Sequence, residues 1–267
     1  SAASDVYKRQ AQGRRVLFGR YGVTGLVNVD ITPEFATKLG AAFGATLPKG
    51  STVTINREPH RSPRMIKRAM IAGLPSAGIN VQDLRSMPIP VARYLTRISQ
   101  AAGGIHVRLS PFDQRVVDIK FFDGRGLNLS KAAERNIERI FFREDFRRVY
   151  LQEIGVIDYA PQVVERYTQG FMEAVNAEAI RRAGFHIVVD YAYAPTSLVL
   201  PPILDALGCN VVALGAHVDE FKTSILPEEF EAALRQLATI CSALHADLGI
   251  RLDVGGEGIF IVDDQGH

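Results

Sequence analysis

At 267 residues the chain is long enough for about two domains of ordinary size, each able to bury a core of its own. With 47% hydrophobic and 22% charged residues it has an ordinary soluble composition, and a formal net charge of +2 gives neither nucleic acid nor a membrane surface a reason to bind. The two cysteines, Cys209 and Cys241, lie near no second cysteine or histidine at zinc spacing, which argues against a disulfide framework and a structural zinc and for a reducing, cytoplasmic setting. No apolar run approaches the roughly 20 residues that span a bilayer. The first ten residues lack the apolar middle of a signal peptide, and residues 1–13 are set apart as a leader with no pattern that continues into the fold.

From Arg14 the chain becomes organised. Arg15-Val16-Leu17-Phe18 reads as a short strand, and Gly19 to Gly25 as a loop whose glycines let a ligand approach the backbone. Thr32 caps a helix with Pro33 at its first position and Phe35, Leu39, Ala42 and Phe43 as its apolar stripe. Thr52 to Ile55 is a strand that delivers Asn56-Arg57-Glu58-Pro59-His60-Arg61 to a second helix, capped by Ser62. Arg57, His60, Arg61 and Arg64 crowd the start of that helix, where free amides and the dipole suit an anion; a water-separated surface cluster is the competing reading. Pro75 should kink or shorten it. Ile79 to Leu84 then reads as a strand, Val91 to Ala102 as a helix, and Leu129 to Phe141 as a helix with one apolar face.

Before that last helix come two alternating runs. Ile105, Val107 and Leu109 alternate with His106, Arg108 and Ser110, and Val117, Ile119 and Phe121 with Asp118, Lys120 and Phe122, the period of half-buried strands flanking one loop. A serine at the mouth of the first strand and a lysine ten positions later on the second could hold a covalent phosphate beside a proton donor. A turn-opening Ser-Pro and a solvated lysine would look the same.

Asp158-Tyr159-Ala160-Pro161 has linker chemistry, which sets a first domain at 14–157 and a second at 158–267. In the second half a helix carries Val164, Tyr167, Phe171 and Val175, and His186 to Asp190 is a nearly continuous apolar strand. A helix from Leu198 ends at Gly208, Asn210 to Leu214 is a strand, and Pro227 to Leu244 a long helix. Two strands, Gly249 to Asp253 and Gly258 to Val262, follow around a glycine-rich loop. Strand and helix alternate throughout, as in an α/β layer sandwich.

Several segments, in this order, resemble the α-D-phosphohexomutases, the phosphomannomutase and phosphoglucomutase family. They are Phe18-Gly19 with Gly22 and Gly25; Thr32 to Phe35; Arg57-Glu58 with Ser62 and Met65 to Ala69; Ala72-Gly73 with Ser76-Ala77-Gly78; Ile119 to Asp123; and Leu248-Gly249-Ile250 before Phe260 to Asp263. The resemblance implies two consecutive α/β/α sandwich domains, the first two of four, so that the chain reads as a fragment whose missing domains would touch it. It also implies a hexose phosphate ligand, with Ser110 as phosphoryl carrier, Lys120 in proton transfer, Arg57, His60 and Arg61 against phosphate, and magnesium near Asp253 and Glu257.

The departures fall on the chemistry. Where the family has His-Asn-Pro-Pro after the serine, this chain has Pro111-Phe112-Asp113-Gln114; Tyr21 and Thr24 stand for an aspartate and an arginine. Of three alternating aspartates followed by arginine, Asp253 remains, with Gly255, Glu257 and Gly258 at the other positions. The resemblance therefore implies a degenerate magnesium site and impaired mutase chemistry, the alternative being a divergent but active phosphotransferase. The altered serine loop also resembles mutase-like domains fused to sugar-1-phosphate nucleotidyltransferases, where this chain would be an accessory module.

Overall fold

The structure, a computed structural model, describes residues 16–111 and 113–267, so the leader, Arg14, Arg15 and Phe112 lie outside the described residues. It divides into two compact units, the first running to Ser86 and from Ala92 to Pro161, the second made of Met87–Val91 and Gln162–His267.

The first unit is built on seven strands: β1 (Phe18–Gly19), β2 (Gly22–Leu26), β3 (Thr52–Arg57), β4 (Asn80–Ser86), β5 (Gly103–Ser110), β6 (Asp113–Asp123) and β7 (Ile157–Tyr159), in the order β1-β2-β6-β5-β3-β4-β7. β5, β3, β4 and β7 pair in parallel, and β6, β2 and β1 extend the sheet antiparallel. Val53, Ile55, Ile105, Val107, Val117 and Ile119 cover one face and pack against α1 (Pro33–Ala45), α2 (Arg61–Ser76) and α4 (Lys131–Arg143). On the other face α3 (Ile89–Ile98) meets the sheet, with Thr96 Oγ1 2.6 Å from Thr54 Oγ1.

Local chemistry explains these elements. Thr32 Oγ1 accepts the Phe35 N–H at the start of α1, and Ser130 Oγ the Ala133 N–H at the start of α4, each cap being worth about 1 kcal/mol. Helices α1 and α2 cross where neither carries a side chain: a Cβ on Gly73 would lie 2.1 Å from the Thr37 carbonyl oxygen, and one on Gly40 2.6 Å from that of Met70. Arg147 then joins the ends of both helices, its guanidinium donating to the carbonyls of Gly44, Leu47 and Ala77 at 2.8–2.9 Å.

Four readings of the sequence change here. The glycine stretch after Phe18 is a strand hairpin rather than an open loop, because Gly22 lets β2 lie against β6, where a Cβ would meet the Ile119 carbonyl oxygen at 2.2 Å. The cap of α2 is His60, whose Nδ1 accepts the Ser62 N–H, so the helix opens two residues earlier. Asp158 and Tyr159, read as the start of the linker and of the second domain, form with Ile157 an edge strand on β4, which carries the first unit to Pro161. Three polar residues in the middle of β5 and β6 are not solvated: His106, Arg108 and Asp118 are buried, because strands in mid-sheet are covered on both faces, while Ser110 and Lys120 are half-buried.

In the second unit β8 (His186–Asp190), β9 (Asn210–Leu214) and β10 (Leu248–Leu252) run parallel, and β11 (Ile259–Val262) pairs antiparallel to β10, in the order β11-β10-β8-β9. One face packs Val188 and Val262 on Leu237 and Cys241 of α8 (Pro227–Leu244). The other packs Ile187, Val189 and Leu252 beside Leu200 and Leu204 of α7 (Leu200–Ala206). The helix read through Val175 stops at Ala174 (α5, Val163–Ala174), and Asn176 caps a separate α6 (Ala177–Ala183). From β8 the chain goes to β9 on one side and then to β10 on the other, so the ends of β8 and β10 form the switch point where open α/β sheets offer a crevice.

Candidate functional site

The polar face of the first sheet is built by register. Thr24 on β2, Asp118 on β6 and Arg108 on β5 are direct cross-strand neighbours, and one level along lie Lys120, His106 and Asn56. Both oxygens of Asp118 are engaged: Thr24 Oγ1 donates to Oδ1 at 2.7 Å and Arg108 Nε to Oδ2 at 3.2 Å. His106 donates from Nδ1 to Asn56 Oδ1 at 2.8 Å, the direction an amide oxygen imposes, while its buried Nε2 has no hydrogen-bond partner among the described residues. Complete burial, reinforced by the cations Arg108, Lys120 and Arg93, holds the imidazole well below its ordinary range, so it is neutral.

Ser110 is the last residue of β5 and pairs with Asp113, whereas Lys120 pairs with His106. By strand alternation Ser110 and Lys120 share the polar face, but four ladder positions separate them, about 13 Å of backbone that the lysine side chain only partly spans. Beside Ser110, the Leu109 N–H is held by Oε2 of the buried Glu58 at 3.1 Å, which fixes the strand end against the loop after β3.

The basic group at the start of α2 is largely turned onto its own loop. Arg57 Nη1 donates to the carbonyls of Glu58 and Pro59 at 2.7 and 3.0 Å, and Arg64 Nη2 to Pro59 at 3.4 Å. His60 spends its Nδ1 lone pair as the helix cap, and Arg61 is exposed.

In the second unit Asp253 follows β10, half-buried, and its Oδ1 accepts the Glu257 N–H at 2.8 Å, while Glu257 itself is exposed. Two residues earlier Arg251 forms a buried ion pair with Asp190 at the end of β8, and Asp190 Oδ1 accepts the Ala192 N–H at 2.9 Å. No three histidine, cysteine, aspartate or glutamate side chains gather in metal-binding reach among the described residues.

Reading from sequence missed Arg108, Asp118 and His106 as site residues and took Thr24 only as a lost arginine. The signal was there: once Leu109 pairs with Val117, the hairpin sets Arg108 opposite Asp118, opposite charges on one face.

The phosphoglucomutase/phosphomannomutase α/β/α domain I model matches residues 15–148, and the domain II model residues 165–266. Among curated proteins the chain is similar to a phosphoglucomutase/phosphomannomutase of Thermococcus kodakarensis, 35% identical over 255 residues, covering 94% of this chain and 56% of that protein. It is also similar to a phosphoglucosamine mutase of Idiomarina loihiensis, 36% identical over 256 residues, with 95% and 56% covered. Among solved structures, a phosphoglucomutase/phosphomannomutase family protein of Burkholderia thailandensis shares the fold with a TM-score of 0.77 at 20% identity, over 95% of this chain and 56% of that one. Parafusin of Paramecium does so with 0.72 at 15%, over 95% and 53%. The chain thus spans just over half the length of these relatives. No helix among the described residues is long and apolar enough to cross a membrane. With both domain models matched in order along the two units, the chain belongs to the phosphoglucomutase/phosphomannomutase family.

Proposed function

We propose that this chain is part of a phosphohexomutase-type protein of carbohydrate and sugar-nucleotide metabolism, that it takes a hexose phosphate at the Ser110 end of β5, and that its phosphoryl-transfer chemistry is impaired as it stands. The observation that carries the reading is Asp253: its Oδ1 closes its own turn on the Glu257 N–H at 2.8 Å, Gly255 offers no carboxylate, and Glu257 stands exposed. Magnesium asks for near-octahedral oxygen donors at short range, and this pair does not make such a set. Without that cation the charge of a moving phosphoryl group loses what is usually its largest stabilising term.

A second reading is kept by one feature, the shared face of Ser110 and Lys120. In it Ser110 Oγ attacks the phosphorus of a hexose bisphosphate, the Oγ–P bond forms and the P–O bond to the sugar breaks. The serine proton passes to a base, and Lys120 returns a proton to the sugar oxygen. Intact-mass measurement after incubation with glucose 1,6-bisphosphate and magnesium separates the two. The impaired reading expects little or no phosphoryl adduct; a stoichiometric adduct that vanishes in S110A overturns it in favour of the second.

A further inference from the structure

Arg108 stands two residues before Ser110 on the same strand and the same face of the sheet. It is buried to 8% exposure, yet only its Nε is engaged, on Asp118; neither Nη1 nor Nη2 meets an acceptor among the described residues. A guanidinium carries five donors, and one that is anchored through Nε presents its two Nη groups as a fork suited to a tetrahedral anion. The anchor is itself fixed, since the second oxygen of Asp118 is held by Thr24. Three cations, Arg108, Lys120 and Arg93, act on His106 from around this face, and His106 adds no charge of its own. Against them stand Asp118 and, beside Ser110, the carboxylates of Glu58, bound to the Leu109 N–H, and Asp113, bound to Arg115, so it is the open fork of Arg108 rather than an excess of positive charge that suits an anion.

We propose that Arg108 is an anion-binding residue that holds the phosphate group of a ligand at the Ser110 end of β5, with Asp118 and Thr24 as its positioning residues. Thr24 stands where the resemblance places an arginine. Here its hydroxyl orients a different arginine through one shared carboxylate, so the sheet face keeps a guanidinium that has moved from β2 to β5. The proposal rests on the reading that a phosphorylated ligand approaches Ser110.

The test is calorimetric titration of inorganic phosphate into the full chain at low ionic strength, for wild type, R108K, R108Q/D118N, R61Q and the surface control R139Q, with circular dichroism to check folding. The double variant removes both charges together and so leaves no buried ion alone. The expected result is affinity lowered about tenfold or more in R108Q/D118N and several-fold in R108K, because a lysine cannot reproduce the fork, with R139Q near wild type. Wild-type affinity in R108Q/D118N, a loss confined to R61Q, or no phosphate binding by wild type overturns the proposal. If the double variant does not fold, R108K decides, and affinity equal to wild type overturns it. The mass of Ser110 after bisphosphate treatment reports on phosphoryl transfer alone, so either reading can fail while the other stands.

Discussion

Lys67 Nζ lies 2.6 and 2.5 Å from the two carboxylate oxygens of Asp83, and both side chains are buried between α2 and β4. Burial draws the lysine below its ordinary range, and the carboxylate, by hydrogen bond and charge, pulls it back up. Asp83 also accepts the Arg85 N–H at 2.7 Å, at a residue with φ of 63°. Removing one partner leaves the other charge stranded, so K67M is expected to lower stability by about 3–5 kcal/mol, whereas K67M/D83L, which removes both charges, should recover much of that loss. Urea unfolding midpoints check this, and a K67M variant as stable as wild type would show that the pair carries nothing.

His106 makes stability depend on pH in one direction. The unfolded chain takes up a proton on this residue as pH falls through about 6.5, while the fold keeps it neutral to well below that value. The unfolded state then binds more protons, so stability falls with falling pH below that point by up to about 1.4 kcal/mol per unit, and the contribution is fully present above it. H106Q, which keeps an amide donor for Asn56 but does not titrate, should show a shallower loss between pH 6.5 and 5 in parallel denaturation curves.

Two glycines separate packing from backbone strain. In G73A the new methyl would lie 2.1 Å from the Thr37 carbonyl oxygen and 2.8 Å from the Ala41 nitrogen, so α1 and α2 must move apart, at about 3 kcal/mol or more. Gly184 has φ of 62° but open space around its Cβ position, and G184A should cost only about 1 kcal/mol. Equal unfolding midpoints for the two would mean that the helices do not cross as described.

Magnesium should leave the thermal unfolding midpoint of wild type nearly unchanged. G255D/E257D, which sets carboxylates at 253, 255 and 257, should gain stability with added magnesium, about 1.4 kcal/mol at ten times its dissociation constant. A wild-type midpoint that rises with magnesium as steeply as the variant's would show that Asp253 and Glu257 suffice.

Much of this architecture was legible in residue order, because the cues were local. Thr32 and Pro33 announce α1, and the 18-residue α8 runs from Pro227 to Leu244 as its periodicity requires. What escaped was set by distant partners. Alternation along β5 gave the right faces but not their burial, since His106 and Arg108 look like a solvent side until β3 and β6 are known to flank them. His60 displaced Ser62 as a cap because an imidazole lone pair can do a hydroxyl's work, and β7 was too short to register until β4 was there to pair with it. Ser110 and Lys120 were named from strand alternation and from the resemblance, and Asp253 from the resemblance alone, whereas the Thr24, Asp118 and Arg108 chain exists only across three strands.

Arg108 and Asp118 face each other almost wholly out of water, and neither has another charged partner of opposite sign in a hydrogen bond among the described residues. Replacing either alone by an uncharged residue would leave its mate as an enclosed ion, a loss of about 3–5 kcal/mol and a large share of the stability of a small domain. Descent can therefore alter these two sites at low cost only in concert. Among sequences diverging from this one they should covary, with Thr24 free to drift once the carboxylate it serves is gone.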